Sequence, residues 1–375
     1  MRKLHAVLLA VGVGCFAYVL AKMGLRELWR ELGLLGWWLI PLILGEGVAE
    51  MIHVLGWRHC LSEPHRSLPW RTLFGIRMAG YAINYLTPTA ALGGELSKGV
   101  LLAADNHRAE AASGVLIGKV CFSLAHVLFV ALGAALVLWR VRLPPGLWLG
   151  MLGSGVLVAA GMLVLLWLQV RGKLGAAARW LAARKLGGRQ LENVARRMSA
   201  VDEALKRFYR ERPRDLALAI GWHLVGYSIG IAQTGLFLHL VAPGHAALVI
   251  AATAWFLGMW FDLLTFVVPL NLGTLEATRI VAFRALGLTA LAGLTYGIAT
   301  RLAQMFWAGF GLITYAALSA RIRSAERLIG PGVSEDRHEN ALSGRSQLAN
   351  GANGDPPNGR NRSPARDLCA RERVS

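Results

Sequence analysis

The sequence predicts an all-α membrane protein, a polytopic helical bundle whose two halves carry the same motif. Several apolar runs of about twenty residues are long enough to cross a bilayer. The chain is 55% hydrophobic, with a mean hydropathy of +0.46. A short pattern also occurs twice: a glutamate follows a proline by seven residues, with glycine between, in 88–95 and again in 269–276. We therefore expect two related halves with re-entrant or broken helices.

The repeated pattern is unusual for a membrane segment. Proline and glycine disturb a helix, and a carboxylate in hydrocarbon is costly, so both are tolerated where protein or water surrounds them. Transporter folds often place broken helices at corresponding positions of two halves and bind their substrate there. The pattern therefore predicts a binding site at Glu95 and Glu276.

Charge and cysteine content exclude several functions. The net charge is +18, but the basic residues lie between and after the apolar runs, as the positive-inside rule predicts. We therefore predict no nucleic-acid partner. The four cysteines form no CxxC motif, so neither a disulfide framework nor a zinc site is indicated. We predict no metal and no cofactor.

The apolar runs predict the membrane spans. Residues 4–21, behind Arg2 and Lys3, lack a small-x-small cleavage site and are predicted to form an uncleaved first span. Further spans are predicted at residues 36–55, 113–139, 146–170, 216–240 and 246–268. The last run, 286–318, exceeds the roughly 17–25 residues of one span. We expect it to hold one span plus a partial helix, with Arg301 at the junction.

Basic segments constrain the topology between the spans. The loop with Arg58, Arg66 and Arg71 and the stretch 171–214 are both predicted to be cytoplasmic. A single crossing by residues 72–104 would place the second stretch outside. An even number of passes, with a re-entrant hairpin turning near 88–95, removes that conflict. The alternative is two ordinary short helices.

The chain is predicted to contain four parts. They are membrane half one (1–170), a basic cytoplasmic linker (171–214), membrane half two (215–320) and a disordered cytoplasmic tail (321–375). The tail is polar and poor in aromatic residues, so it cannot bury a core. In the linker, apolar residues from Leu191 to Phe208 recur at helical spacing. This amphipathic helix either lies on the inner leaflet or packs on the protein.

Three ionisable residues of the second span share one face. Glu46, Glu50 and His53 stand at i, i+4 and i+7. Because carboxylates facing lipid are expensive, this face should point inward. We predict that it serves a headgroup cavity or a proton relay.

Other intramembrane charges are weaker signals. Asp262 lies deep in its span. Its candidate partners are Arg279, Arg284 and Arg301. Lys98, Lys119, His126 and His223 are individually uninformative, because a lysine can extend to the interface and a lone histidine is more often structural.

Three segments together carry a family resemblance. They are NYLTPTAALGGELSKGVLL (Asn84–Leu102), VVPLNLGTLEATRIVAFRALGL (Val267–Leu288) and YGIATRLAQMFWAGFGLI (Tyr296–Ile313). These segments resemble the lysylphosphatidylglycerol synthase transmembrane, or flippase-like, family. The resemblance covers most of residues 1–320. It implies a multi-pass domain in the bacterial inner membrane that handles lipids, and the charge pattern places both termini in the cytoplasm.

The resemblance also assigns positions. The residues that match the family's motifs, and hence the expected central cavity, are Gly93, Gly94, Glu95, Pro269, Gly273, Glu276 and Arg301. The first segment is also similar to the branch often encoded beside hopanoid biosynthesis genes. Bifunctional synthases of the family continue into a soluble aminoacyl-transferase domain. A short tail follows the last span here, so we expect no transfer of lysine.

The leading hypothesis is a protein that binds or translocates a membrane lipid, either a phospholipid or a hopanoid. Glu95 and Glu276 would lie at the broken helices, and Arg279 or Arg301 would meet a phosphate. A rival is an enzyme that modifies lipid headgroups with the Glu46 face as acid, base or metal ligands. The sequence contains no HExxH, GxSxG, GxxxxGK[ST] or strand-associated GxGxxG motif, so we favour a protein that is not an enzyme. The third hypothesis, a non-catalytic partner of lipid-synthesis enzymes, makes no use of the repeated motif.

Overall fold

The computed structural model describes residues 33, 36–87, 92–103, 108–140, 145–171, 173, 176, 180, 202–242, 244, 247–265 and 274–350, with side chains to 324. Apart from short turns, these residues form helices. In chain order they are α1 (Leu39–Cys60), α2 (Glu63–Arg66), α3 (Trp70–Leu86), α4 (Leu92–Leu102), α5 (Arg108–Arg140), α6 (Pro145–Val170), α7 (Pro213–Val241), α8 (Leu248–Thr265), α9 (Thr274–Ala285) and α10 (Ala290–Asn350). A further helix, called the linker helix, covers residues 202–211. The all-α prediction is confirmed.

Four helical stretches are long and apolar enough to cross a membrane. They are Gly36–Cys60, Glu110–Trp139, Pro213–Val241 and Ala290–Ser324. Their outer faces expose large apolar side chains, among them Leu44, Leu132 and Ile313. Soluble monomers rarely expose apolar surface of this extent, so these faces meet lipid. The predicted first span, 4–21, lies outside the described residues.

The last apolar run differs from the prediction. The junction expected at Arg301 is wrong, because α10 passes through this residue without interruption. The partial helix is instead α9, which precedes the run. A turn separates it from α10, and Gly287 adopts a φ of 78° there, a conformation that favours glycine after a helix.

The chain divides into two units, Met1–Arg321 and Ile322–Ser375. In the second unit, α10 continues to Asn350, within the segment predicted to be a disordered tail. An isolated helix of polar residues is marginally stable in water. Disorder of the tail in solution therefore stays a prediction.

Helices α3 and α4 form an antiparallel hairpin, called hairpin one. Gly80 lies opposite Lys98, and Asn84 lies opposite Gly94, whose backbone N–H donates to Asn84 Oδ1 at 2.7 Å. At 11 residues, α4 is only about 16 Å long, too short for a hydrocarbon core of about 30 Å. Residues 88–91, including Pro88, lie outside the described residues.

Close packing of hairpin one gives a testable prediction at Gly94. A Cβ at this position would overlap the backbone oxygen of Gly80, so Gly94→Ala should lower the free energy of unfolding by about 1–3 kcal/mol. At Gly99, on the same helix, an added Cβ would meet no atom within 4 Å. Gly99→Ala should be neutral or stabilise by up to about 1 kcal/mol, so equal losses in both variants in detergent unfolding would contradict the packing argument.

Helices α8 and α9 form the corresponding hairpin two. Here Gly258 lies against the Arg279 side chain, as Gly80 lies against Lys98 in hairpin one. The second helix is again short, at 12 residues. The break between the helices, residues 266–273 with Pro269 and Gly273, lies outside the described residues.

Both hairpins approach the middle of the membrane stretch of α10, but from opposite ends. In hairpin one, Gly75 contacts Leu318, and the end of α3 packs against Leu312. In hairpin two, α9 begins beside Gly297 and runs toward Gly293. The C-terminal end of α3 and the N-terminal end of α9 therefore both lie toward the middle of this stretch, as expected for two re-entrant hairpins.

The first long helices of the two halves, α1 and α7, run antiparallel. Gln233 donates to the Leu42 carbonyl at one end, and His59 contacts Asp215 at 2.8 Å at the other. His53 meets α7 between them. Helix α1 precedes hairpin one as α7 precedes hairpin two, so these described helices of the two predicted halves run in opposite directions. This arrangement is common in transporters.

The two predicted cytoplasmic segments meet at one end of the bundle. Arg66, from the first basic loop, lies 3.1 Å from Asp215, and Arg212, from the end of the basic stretch, lies 2.8 Å from it. Arg212 also donates to the Leu61 and His59 carbonyls. An even number of crossings must separate these segments, in agreement with the re-entrant hairpin. Their cytoplasmic side stays a prediction.

The described part of the linker helix turns its apolar residues toward protein. Leu205 and Phe208 are 1% and 4% exposed. Of the two predicted placements, packing on the protein is therefore favoured for residues 202–211. The start of the predicted amphipathic helix, from Leu191, lies outside the described residues.

Candidate functional site

A first polar cluster surrounds hairpin one and consists of Glu50, Arg77, Glu95, Lys98 and Lys119. Arg77 Nε donates to Glu50 Oε2 at 2.6 Å, and both side chains are about 10% exposed. Lys98 Nζ donates to the two oxygens of Glu95 at 3.0 and 3.1 Å. Lys119 Nζ, from α5, lies 3.8 Å from Glu95 Oε1, beyond hydrogen-bonding distance.

The first polar cluster is also linked by an aromatic ring. Arg77 and Lys119 lie over Phe122, 5.2 and 5.7 Å from its ring centroid. Such cation–π contacts partly compensate charges that have left water. The cluster therefore brings three cations and two carboxylates close together.

A buried histidine pair borders this cluster. His53 Nδ1 and His223 Nδ1 are 3.0 Å apart, and Phe122 and Tyr227 surround them. Glycines make room for the rings: a Cβ at Gly226 would meet His53. A hydrogen bond between the two Nδ1 atoms requires one ring to donate and the other to accept. The pair joins α1 of half one to α7 of half two.

A second polar cluster surrounds hairpin two and consists of Asp262, Glu276, Arg279 and Arg301. Arg279 donates to both oxygens of Asp262 at 3.1 and 2.7 Å. Arg301 makes an equivalent fork with Glu276, with N–O distances of 2.5 and 2.9 Å. Two parallel hydrogen bonds of this kind are the strongest form of arginine–carboxylate pairing. The two arginine side chains are only 2% and 1% exposed.

Glu46, one turn before Glu50 on α1, lines a small pocket with residues of α7, α8 and α10. Gln233 from α7, Trp255 from α8, and Tyr296 and Thr300 from α10 line this pocket beside Glu46. Its interior of about 20 Å³ accommodates one water molecule. The pocket therefore has room for one small polar group beside this carboxylate.

The structure brings most of the predicted residues into these features. Glu50 and His53 are buried, and Glu46 is half-buried, so their shared face points inward as expected. Asp262 pairs with Arg279, one of its three candidate partners. The remaining motif glycines of the described region, Gly93 and Gly94, are buried in the first turn of α4, where the Gly93 carbonyl accepts a hydrogen bond from Ser97.

Sequence reasoning missed Arg77 and set aside Lys98, Lys119 and His223 as individually uninformative. One available signal was the spacing: Lys98 and Arg279 both follow the motif glutamate by three residues. Arg77 and His223 gave no such signal, since their partners lie 27 and 170 residues away. Within the described residues, no group of three His, Cys, Asp or Glu side chains could hold a metal ion.

Two helical hairpins of opposite direction, each beside a buried charged cluster, define a polytopic membrane protein with charged residues inside its helical bundle. A family model described as the lysylphosphatidylglycerol synthase TM region matches residues 5–311. The chain belongs to this family, and it is a membrane protein tied to lipid metabolism. No curated protein and no solved structure gives a significant match.

Proposed function

We propose that the protein binds a membrane lipid by its headgroup and moves it between the two leaflets. The main support is that a charged cluster is buried beside each of the two short helices, α4 and α9. Charges inside a membrane are costly, and they often mark a substrate or ion path. Inverted repeats that carry such sites suit a protein that opens alternately to the two sides.

The two clusters and the pocket differ in what they offer a headgroup. A ligand could reach the half-buried Lys119, or the pocket at Glu46, with little rearrangement of the protein. Arg279 and Arg301 already fill their hydrogen-bonding forks with carboxylates. Contact of these arginines with a lipid phosphate would therefore require the ion pairs to open.

The proposed location is a bacterial inner membrane, as the resemblance to the family implies. The positive-inside pattern supports a cytoplasmic location of both termini. Phospholipid and hopanoid are the two candidate cargoes, and the enzymes that make the lipid are candidate partners.

The lipid identity follows from a mass-resolved lipid inventory of cells with and without the gene, taken from separated inner and outer membranes. Redistribution of one class at unchanged total composition supports translocation, whereas loss of a species with accumulation of its precursor supports the enzyme alternative.

Glutamine variants of the two motif glutamates test the proposal directly. Glu95→Gln and Glu276→Gln remove a charge that pairs with Lys98 or Arg301 and should each lower lipid translocation by about tenfold or more, with insertion retained. The measurement is transbilayer movement of fluorescent lipids in vesicles containing the purified full chain. Glu63→Gln, at an 86% exposed side chain, is the matched control. Wild-type rates in both variants would contradict the site assignment.

A further inference from the structure

The two hairpins are built to the same plan, which allows their polar positions to be compared one by one. In each, a glycine on the first helix lies against the cation that follows the motif glutamate by three residues: Gly80 against Lys98, and Gly258 against Arg279. A Cβ added to these glycines would lie 2.5 Å from Lys98 Cε and 2.6 Å from Arg279 Nη1. The glycines therefore mark equivalent points.

The residue four positions after each glycine differs between the halves. Half two has Asp262, which accepts both hydrogen bonds from Arg279. Half one has Asn84, a neutral residue whose Oδ1 accepts from the Gly94 backbone N–H. Without a carboxylate at this position, Lys98 turns to Glu95 of its own helix.

The long helix that follows each hairpin contributes a second cation. Arg301 is the twelfth residue of α10, and Lys119 is the twelfth of α5. Arg301 completes a fork with Glu276, whereas Lys119 stays 3.8 Å from Glu95, which Lys98 already occupies. The Lys119 side chain is 33% exposed, against 1% for Arg301.

The charge balance differs accordingly. The four corresponding positions of half two are neutral as a set, whereas those of half one carry one positive charge in excess. The neighbouring Arg77 and Glu50 pair with each other and do not change this balance. Glu46 belongs to neither set of four positions and lines the pocket with residues of α7, α8 and α10.

We propose that Lys119 and Lys98, with the neutral Asn84 beside them, form a binding site for the phosphate of an anionic headgroup, and that the second cluster is its closed structural counterpart. This inference rests on the proposed function and specifies its substrate class. An anion at Lys119 would neutralise the excess charge and supply the hydrogen-bond acceptor that the lysine lacks among the described residues. Lysine binds phosphate readily as a point charge.

Two variants test the site in different ways. Lys119→Gln removes the excess charge from the partly exposed lysine. Asn84→Asp copies the second half, keeps an oxygen for the Gly94 N–H and neutralises the site from within. The exposed Arg207 of the linker helix provides the control Arg207→Gln, which changes the net charge as Lys119→Gln does.

Binding is measured on the purified full chain in neutral detergent by native mass spectrometry. The probes are phosphatidylglycerol and diacylglycerol, which differ by the phosphate-bearing headgroup, with glycerol phosphate as a soluble competitor. Phosphatidylglycerol should bind at least about tenfold more tightly than diacylglycerol. Lys119→Gln and Asn84→Asp should each remove about tenfold of this affinity, and Arg207→Gln should leave it unchanged.

The outcomes separate the inference from the function. Competition by glycerol phosphate at millimolar concentration would support recognition of the phosphate itself, and its failure with the lysine effect intact would support a site that requires the lipid. Unchanged phosphatidylglycerol binding in both variants overturns the inference while lipid binding, and with it the proposed function, stands. Equal binding of diacylglycerol overturns the inference in favour of a weakly charged lipid such as a hopanoid. Absence of any lipid binding overturns both.

Discussion

Replacing Arg77 by methionine is expected to lower the free energy of unfolding by about 3–5 kcal/mol, because it leaves the Glu50 carboxylate buried without its partner. The two groups are 2.6 Å apart, and each side chain is about 10% exposed. Removal of one member of such a pair costs far more than the net contribution of the pair, since the remaining charge keeps its desolvation penalty. The measurement is unfolding in mixed micelles with increasing denaturing detergent.

The double variant Glu50→Leu with Arg77→Met provides the sharper comparison. Apolar replacement of a whole buried pair is often neutral or stabilising, so the double variant should recover at least about 2 kcal/mol of the loss. Glu63→Gln, which removes a carboxylate 4.0 Å from Arg66 at the exposed surface, should change stability by less than about 0.5 kcal/mol. A double variant no more stable than Arg77→Met would contradict this account.

The second large effect is expected at Asp262. Asp262→Asn leaves the guanidinium of Arg279, which is 2% exposed, without its paired carboxylate, and should cost about 3–5 kcal/mol in the same unfolding assay. The variant makes half two resemble half one. The cost arises because Glu276, which precedes Arg279 by three residues as Glu95 precedes Lys98, is already paired with Arg301.

The reciprocal variant Asn84→Asp is the matched comparison. It adds a carboxylate beside an excess of positive charge, so its effect on stability should stay within about 1 kcal/mol, although lipid binding should weaken. A large loss of stability in Asn84→Asp with little loss in Asp262→Asn would reverse the assignment of the binding and structural halves. Together, the two variants separate the stability of the halves from their ligand affinity.

The fold could be predicted in outline because its causes are local. Hydrocarbon thickness fixes the length of a span, and proline, glycine and a following carboxylate mark a break wherever they occur in lipid. Prediction of an even number of passes before the basic stretch agrees with the contacts of Asp215, because charge pattern and span count together limited the topologies. The predicted junction at Arg301 was wrong. An arginine does not by itself interrupt a helix, and the charge of Arg301 is paired with a carboxylate on another helix.

The candidate site was predictable only in part. Glu95 and Glu276 stand out because the same motif occurs twice and ends on each of them. The shared face of Glu46, Glu50 and His53 follows from helical periodicity. The partners of these residues could not be assigned, since Arg77 and His223 come from other helices and carry no pattern of their own. The disordered tail and the cytoplasmic placement of the termini stay predictions.

By itself, the sequence determined that the chain resides in a membrane, that its spans consist of helices and that two breaks with carboxylates recur, because each property depends on a few neighbouring residues and the bilayer. The tertiary structure decided which charges meet. The two hairpins approach the membrane stretch of α10 from opposite ends, and antiparallel packing of α1 on α7 brings His53 to His223. Folding likewise decides that Lys119 is left without a hydrogen-bonded carboxylate, because the pairing depends on which carboxylate each cation can reach across the hairpins.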